Sequence, residues 1–405
     1  VMKFQDTLSI ENKAGGWRKL IQILERRVVG THGPISTRLR EVHAFGSNPG
    51  NLRMFSYRPP KLAENPALVV VLHGCTQTAA GYELGAGWST LADRYGFALL
   101  FPEQQRSNNP NGCFNWFQAE DSQRDRGEPL SIRQMIAKSI VDHGVDRRRI
   151  FVTGLSAGGA MASIMLACYP EVFAGGAIIA GLPYGAATNV QQAFVSMFQS
   201  PSRPAREWGD LVRRASSHHG VWPRVSVWHG NADKTVIPSN AREILKQWTD
   251  VHDLSLCPSA QTTVDGYPRE VWMDGAGDEI LESYTITNMA HGTPLAVGET
   301  EGACGVAGPF LLPVGISSSY HISKFFGIAD THLRQHIPAE TESHLMRGVF
   351  SSAPTHQEER AGRALEGEIQ EKKDQPSPPK EHRPSFPEIG AVIQKALKAA
   401  GLIRD

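Results

Sequence analysis

One short segment, Gly154-Leu155-Ser156-Ala157-Gly158, constrains the fold of this chain more than any other. An apolar run, Ile150–Thr153, precedes it, and a stretch of small and apolar residues, Gly159–Leu166, follows it. These two runs are typical of a buried strand and a helix, so the chain must turn sharply between them. Small residues around Ser156 let the strand and the helix approach closely. A strand–turn–helix of this kind strains its central residue and exposes that side chain above the edge of a sheet.

Apolar runs and helical patterns alternate along the rest of the core. The predicted strands are Leu68–Leu72, Phe97–Phe101, Ile150–Thr153, Ala177–Ala180, Val225–Trp228, Glu270–Met273 and Glu282–Thr287. Helices are predicted around Ser89–Tyr95, from an N-cap at Ser131 to Gly144, and after Ser239. Buried strands alternating with helices predict an α/β protein with a mostly parallel central sheet flanked by helices. Together with the turn at Ser156, this indicates the α/β-hydrolase fold.

A serine hydroxyl at such a turn becomes nucleophilic only when a base takes its proton and a carboxylate orients the base. In this fold the acid and then the histidine follow the serine along the chain, each in a loop after a strand. Asp233 and His291 meet both conditions, so the predicted catalytic residues are Ser156, Asp233 and His291. The alternatives are Asp253, Asp265, Asp274 and Asp278 for the acid, and His252 and His321 for the base.

The negative oxygen of an acyl-transfer intermediate needs N–H donors. We expect them from Ala157, directly after the nucleophile, and from Cys75, in the loop after the first buried strand. The Cys75 thiol is an alternative nucleophile, but the strand–turn–helix favours Ser156. Trp116 and Phe117 are predicted to line the substrate cleft and to contact the substrate; the alternative is a place in the core.

The five cysteines are too few and too scattered for a disulfide scaffold, and no C-x-x-C pair suggests zinc. We call the loop after the first buried strand, His73–Gln77, the oxyanion loop. A bond between Cys75 and Cys113 would join this loop to the loop that carries Trp116 and Phe117. Cys257 with Cys304 is a second possible pair. Reduced, buried thiols are the alternative, because pairing cannot be read from sequence.

Composition excludes several classes of partner. Lys+Arg and Asp+Glu both number 41, so the formal net charge is zero and no nucleic-acid partner is expected. The longest strongly apolar run, Ala67–Leu72, is far shorter than the ~20 residues of a transmembrane helix. No phosphate loop, dinucleotide fingerprint or H-E-x-x-H motif is present, so neither a cofactor nor a metal is expected. The first residues lack the apolar core of a secretory signal, which favours the cytoplasm; a trimmed N-terminus would also allow a secreted or periplasmic protein.

The sequence divides into four predicted regions. Residues 1–45 form a leader with a short helix, and residues 46–328 form the α/β-hydrolase catalytic domain. Residues 329–387 become rich in Glu, Lys, Pro, Ser and Gln, which is typical of a linker or a disordered tail. Residues 388–405 show the apolar spacing of a short amphipathic helix. We expect this helix to dock on the body of the protein, on a partner or on a hydrophobic particle.

Several motifs together resemble those of the polyhydroxybutyrate depolymerase family of esterases, to which feruloyl and acetylxylan esterases are related. The likeness covers about residues 50–328. The motifs are Leu72–Gln77 (LHGCTQ), Phe101–Gln104 (FPEQ), Asn115–Phe117 (NWF), Arg126–Pro129 (RGEP), Gly154–Met161 (GLSAGGAM), Gly181–Ala187 (GLPYGAA) and Met289–Pro294 (MAHGTP).

The resemblance implies an α/β-hydrolase fold and a carboxylic ester hydrolase acting on hydroxyalkanoate oligomers or polymer, or on short-chain acyl esters. It implies a triad of Ser156, Asp233 and His291, with oxyanion amides from Cys75 and Ala157. Two alternatives stay open. One is a feruloyl or acetylxylan esterase acting on plant polysaccharide esters, and the other is a non-catalytic protein that binds polymer granules on a hydrolase scaffold.

Overall fold

The computed structural model describes residues 37–298 and 301–329. The strands of this part, in chain order, are β1 (Arg40–Val42), β2 (Arg53–Tyr57), β3 (Leu68–Leu72), β4 (Ala98–Glu103), β5 (Ile150–Leu155), β6 (Gly175–Ile179), β7 (Arg224–Gly230), β8 (Ala260–Val264), β9 (Tyr267–Met273), β10 (Glu279–Ile286), β11 (Thr293–Leu295) and β12 (Leu311–Pro313). The α-helices are α1 (Ala79–Ala86), α2 (Trp88–Tyr95), α3 (Gly127–His143), α4 (Ala157–Cys168), α5 (Val190–Phe198), α6 (Ala205–Ala215), α7 (Ser239–Val251) and α8 (Ser318–Phe325). Short 3₁₀ turns lie at Ala119–Asp121 and Pro170–Val172.

The first ten of these strands form one sheet in the order β1-β2-β4-β3-β5-β6-β7-β10-β9-β8. From β4 to β10 the neighbouring strands are parallel. The pairs at both ends of the sheet are antiparallel. Every residue of β3, β4, β5 and β6 is buried, as expected for strands that helices cover on both faces. The predicted α/β-hydrolase fold is confirmed.

The two faces of the sheet carry separate apolar cores, which β3 illustrates because its successive side chains point in opposite directions. Leu68, Val70 and Leu72 join the cluster that contains the buried residues of α3 and α4. Val69 and Val71 join the cluster of α1, α2 and α8. All five side chains are at most 1% exposed, and fully burying a side chain of this size contributes about 1.5–3 kcal/mol.

The predicted helix that ends at Gly144 is present, with this glycine in the left-handed region at φ 64°. Its predicted N-cap at Ser131 is wrong, because the helix begins four residues earlier, at Gly127. The Ser131 hydroxyl instead donates to the carbonyl of Gly127 at 3.2 Å and accepts the N–H of Gly50 at 2.8 Å. The serine therefore joins the start of α3 to the chain ahead of β2.

The predicted leader helix, the linker and the terminal amphipathic helix lie outside the described residues, so they and the region boundaries stay predictions. Among the described helices, none has both the length and the apolar character needed to cross a membrane.

Candidate active site

Ser156 lies between β5 and α4, with φ 57° and ψ −117°. A non-glycine residue with positive φ in this region is strained, and the strain turns the chain sharply from the strand into the helix. The N–H of Ser156 donates to the carbonyl of Ile179 at 2.9 Å, which fixes the turn to the neighbouring strand β6. The side chain is only partly buried. The structure therefore presents the hydroxyl of Ser156 at the carboxyl edge of the sheet.

Two glycines permit this turn because other backbone atoms occupy the space of a side chain. A Cβ on Gly154 would lie 2.3 Å from the carbonyl oxygen of Gly158. A Cβ on Gly158 would lie 2.3 Å from the carbonyl oxygen of Leu72 and 2.5 Å from that of His73. The second contact brings the start of α4 against the end of β3, so the two segments predicted to supply oxyanion donors are neighbours.

Asp233 and His291 are in direct contact although 58 residues separate them. Nδ1 of His291 lies 2.7 Å from Oδ2 of Asp233, and both side chains are buried. The other carboxylate oxygen accepts the N–H groups of Thr235 at 2.8 Å and Val236 at 3.0 Å. Because a carboxylate accepts only, Nδ1 of His291 donates and Nε2 keeps its lone pair. This arrangement orients an imidazole that can accept a proton.

Hydrogen bonds hold together the loop after β7, which carries Asp233, and the loop after β10, which carries His291. The N–H of Ala232 donates to the carbonyl of Met289 at 3.1 Å, and the N–H of Asn288 donates to Oδ1 of Asn231 at 2.7 Å. A Cβ on Gly230 would lie 2.2 Å from the carbonyl oxygen of Met289, so the loops touch at the end of β7. These contacts between the two loops keep Asp233 and His291 next to each other.

The pKa of Asp233 reflects two opposed effects. Burial raises the pKa of the carboxyl, but hydrogen bonds from His229 and His291 outweigh burial, and the net pKa lies well below its ordinary value. Asp233 consequently stays ionised throughout the pH range in which a histidine base works. An ionised carboxylate in this position is able to stabilise an imidazolium.

Ser156, Asp233 and His291 follow β5, β7 and β10, whose carboxyl ends share one edge of the sheet. The structure brings the acid and the base together and places the serine at the same edge. Among the described residues, no hydrogen bond joins the hydroxyl of Ser156 to His291. Catalytic hydrogen bonds are often long without substrate and tighten when it binds.

Four of the six alternative acids and bases have partners elsewhere: His252, His321, Asp265 and Asp274. Nε2 of His252 lies 3.1 Å from the carbonyl oxygen of Pro223, ahead of β7 and away from the carboxyl edge. His321 contacts Asp265 at 2.8 Å, in the turn between β8 and β9, two strands beyond β10. Oδ1 of Asp274 accepts N–H groups of its own hairpin turn.

The loop after β3 is fixed on both sides of Cys75. The N–H of Gly74 donates to Oε1 of Gln77 at 2.8 Å, and the N–H of Thr76 donates to the carbonyl of Asn111 at 2.7 Å. In the part of the chain that the structure describes, the N–H groups of Cys75 and Ala157 have no acceptor. The N–H of Ala157 has none because it opens a helix. Both donors are available for a ligand oxygen.

Of the two open cysteine pairs, the structure contains one. Cys75 and Cys113 form a disulfide, whereas Cys257 is exposed, Cys304 is buried, and both are free. Cys168 is also free and buried. The disulfide joins the oxyanion loop to the loop of the two predicted substrate-contacting aromatic residues.

Trp116 and Phe117 lie in that second loop, with only 7% and 4% of each residue exposed. Their rings meet edge to face, with centroids 5.5 Å apart. Both belong to the apolar core on the α3–α4 face of the sheet. Their contact with substrate stays a prediction.

Sequence reasoning missed a buried polar cluster behind the oxyanion loop. The Glu128 carboxylate accepts the N–H and the side-chain amide of Asn115, both at 3.0 Å, and the amide of Gln104 at 2.5 Å. The Gln104 N–H donates to Nε2 of His73 at 3.1 Å. The cluster therefore supports both of the loops that the disulfide joins. Glu128 belongs to the RGEP motif that carries the family resemblance, and this motif was the available signal.

Loss of the Cys75–Cys113 bond should destabilise the protein and slow turnover together. The bond closes a loop with a sequence separation of 38, and a native disulfide of this kind typically contributes about 2–4 kcal/mol. We expect C75S/C113S to lower the Tm by several degrees and to lower kcat, because the Cys75 N–H loses its anchor. Differential scanning calorimetry measures the Tm, and turnover of an ester, the substrate class that the sequence predicts, measures kcat. C257S is the matched control for an exposed free thiol. An unchanged Tm and kcat would contradict this role.

The fold and the site define a serine hydrolase of the α/β-hydrolase class, and the comparisons with known proteins identify it as a carboxylic ester hydrolase. The family model described as Esterase PHB depolymerase matches residues 52–263, more than half of the chain. The chain belongs to this family. Among the described residues, no group of three or more His, Cys, Asp or Glu side chains is placed to hold a metal ion.

Named relatives share most of the chain. Poly(3-hydroxyalkanoate) depolymerase C of Paucimonas lemoignei is 46% identical over 291 residues, which is 72% of this chain and 70% of the relative. Feruloyl esterase B of Talaromyces stipitatus is 32% identical over 279 residues, 67% of this chain and 76% of the relative. The solved acetyl xylan esterase from Aspergillus awamori superposes with a TM-score of 0.61 at 27% identity, covering 72% of this chain and 99% of that one. These relatives confirm the predicted family and the predicted ester hydrolase.

Proposed function

We propose that this enzyme hydrolyses ester bonds of hydroxyalkanoate chains through an acyl-enzyme on Ser156, with residues 46–328 as its catalytic domain. The observation that carries the mechanism is the 2.7 Å contact between Asp233 and His291 at the sheet edge where the strained turn exposes Ser156. The 46% identity to a poly(3-hydroxyalkanoate) depolymerase supports the substrate class.

In the first half of the proposed reaction, Nε2 of His291 takes the proton of the Ser156 hydroxyl while Oγ attacks the ester carbonyl carbon. The carbonyl oxygen becomes negative and accepts hydrogen bonds from the N–H groups of Cys75 and Ala157. Asp233 stabilises the imidazolium. The bond between the carbonyl carbon and the alkoxy oxygen then breaks, and His291 returns its proton to that oxygen. The alcohol fragment leaves with a free hydroxyl group.

In the second half, water replaces the alcohol. His291 takes one proton from the water, whose oxygen attacks the acyl carbon of the Ser156 ester. The same two N–H groups hold the negative oxygen again. When the bond to Ser156 Oγ breaks, the serine regains its proton from His291, and the carboxylic acid fragment is released. Ester and water are consumed, and alcohol and acid are formed.

Trp116 and Phe117 are proposed to bound the acyl side of the cleft. The loop that carries them is joined by the disulfide to the residue that offers its N–H to the negative oxygen. A methyl-branched hydroxyalkanoate unit presents mainly apolar surface to such rings. Docking of the helix predicted at residues 388–405 onto the body, a partner or a hydrophobic particle stays part of this proposal.

A substrate panel distinguishes the ester classes. We expect kcat/KM to be at least about tenfold higher for a 3-hydroxybutyrate trimer than for methyl ferulate or an acetylated xylo-oligosaccharide, a difference of about 1.4 kcal/mol in transition-state stabilisation. A p-nitrophenyl butyrate assay reports general esterase competence, and S156A supplies the background for each substrate. A preference of similar size for ferulate or acetylated sugar would transfer the assignment to polysaccharide esters.

A further inference from the structure

His229 takes no part in the proposed proton transfers, yet it lies against the acid. It is the penultimate residue of β7 and is only 4% exposed. Its Nε2 is 2.7 Å from the carbonyl oxygen of Val236 and 3.4 Å from Oδ2 of Asp233. The same carboxylate oxygen contacts His291, so two imidazoles meet one oxygen of Asp233.

The contacts of His229 define which of its ring nitrogens donates a hydrogen bond. A carbonyl and a carboxylate oxygen both accept, so Nε2 carries the hydrogen and directs it between them. Nδ1 is buried and has no partner among the described residues. Nδ1 therefore has no acceptor to which it could donate, and the hydrogen of the ring is placed on Nε2. A buried polar atom without a partner also destabilises a fold, so packing alone does not explain an imidazole at this position.

The His229 ring is hydrogen-bonded to the turn that holds Asp233. Val236 donates its N–H to Oδ1 of Asp233 at 3.0 Å and accepts from His229 through its carbonyl group. His229 thereby joins the end of β7 to the far side of the turn at residues 233–236. Both oxygens of the carboxylate then face fixed donors, so the carboxyl group cannot rotate without losing contacts.

From this geometry we infer that His229 is a positioning residue, whose Nε2–H fixes the turn that holds Asp233. A lysine or arginine donor at the same place would bring a positive charge within a few ångströms of Asp233. That charge would weaken the attraction between Asp233 and the imidazolium of His291. An imidazole supplies the hydrogen without the fixed charge of a lysine or arginine side chain. The inference rests on the proposed function of Asp233 and His291.

Two polar variants separate a donor from a merely space-filling residue. In H229Q the side-chain amide can place an N–H where Nε2 lies, whereas in H229N the shorter amide cannot reach it. We expect H229N to lower kcat by about 10–100-fold with little change in KM, because a small misplacement of a catalytic group costs a factor of this size. H229Q should stay within about threefold of wild type. Hydrolysis of p-nitrophenyl butyrate gives both parameters.

The matched control is H252N. His252 also directs Nε2 at a backbone carbonyl, that of Pro223, but away from the carboxyl edge, so this variant should keep the wild-type kcat. If H229N does not fold, H229L makes the same comparison, because leucine fills the site without a donor. In H229N, or in H229L if H229N does not fold, the downfield proton signal of the His291–Asp233 hydrogen bond should shift or broaden. In H229Q this signal should be retained.

Equal losses of kcat in H229Q and in H229N (or its substitute H229L) would overturn the inference. A change in KM alone, or a wild-type kcat in H229N, would overturn it too. H291A and S156A belong in the same series. If these two variants remain active, the proposed mechanism fails whatever His229 does. If both are inactive while H229N matches wild type, only the positioning role of His229 fails.

Discussion

Replacing Ser156 with alanine should lower kcat for ester hydrolysis by about 10⁵–10⁶-fold, which corresponds to about 7–8 kcal/mol of transition-state stabilisation. The variant loses the atom that forms the acyl-enzyme and keeps the rest of the site. Alanine and serine are similarly disfavoured at the positive φ of 57°. The replacement therefore adds no backbone strain, and the turn should persist. Initial rates on p-nitrophenyl butyrate, after active-site titration, give the factor.

The control for this prediction is S107A, which removes an exposed loop hydroxyl. It should hydrolyse the ester at the wild-type rate. Circular dichroism and Tm values must agree among the three proteins, so that the loss reports chemistry and not unfolding. A retained kcat in folded S156A would require another nucleophile, and the Cys75 thiol is already excluded because it forms a disulfide.

His291→Ala should be nearly as damaging as the loss of the serine. Without the imidazole, nothing takes the proton of Ser156 or returns it to the leaving alcohol, so we expect kcat to fall by about 10⁵–10⁶-fold. Asp233→Asn should cost less, about 10⁴-fold, because it disturbs the orientation and the charge partner of a base that is still present. The same ester assay measures both variants.

The double variant S156A/H291A gives the sharper test. Residues that act as one unit are strongly non-additive, so the double variant should be no slower than either single variant within the error of the assay. Additive losses would mean that the two residues act separately. H252N again serves as the control for removal of an imidazole that lies elsewhere.

The fold was predictable wherever local pattern and tertiary packing agree. The apolar run Leu68–Leu72 forms a strand with the predicted bounds because both of its faces are covered. The edge strand Ala260–Val264 was missed because its polar side chains give no apolar pattern, and only pairing with β9 makes it a strand. The helix Ala79–Ala86 was missed because two glycines weaken its local signal. One of them, Gly85, gives room for Leu311, which a Cβ would approach to 2.0 Å.

The predicted site residues came from order along the chain and from placement after strands. That reasoning selected Asp233 and His291, which the structure pairs across 58 residues. It did not decide the cysteine pairing, because the approach of Cys75 to Cys113 depends on how two loops pack. It also missed His229, although a histidine inside an apolar strand, directly before Gly230, was a usable signal. The partners of a buried polar side chain are tertiary facts that no local pattern encodes.

Covalent labelling tests most directly the central claim, that His291 activates Ser156. The enzyme is incubated with a fluorophosphonate, and intact-mass and peptide-mapping mass spectrometry locate the adduct. We predict one adduct per chain, on the peptide that contains Ser156, with parallel loss of esterase activity, and a labelling rate in H291A that is lower by several orders of magnitude. No adduct, an adduct on another residue, or equally fast labelling in H291A would contradict the account.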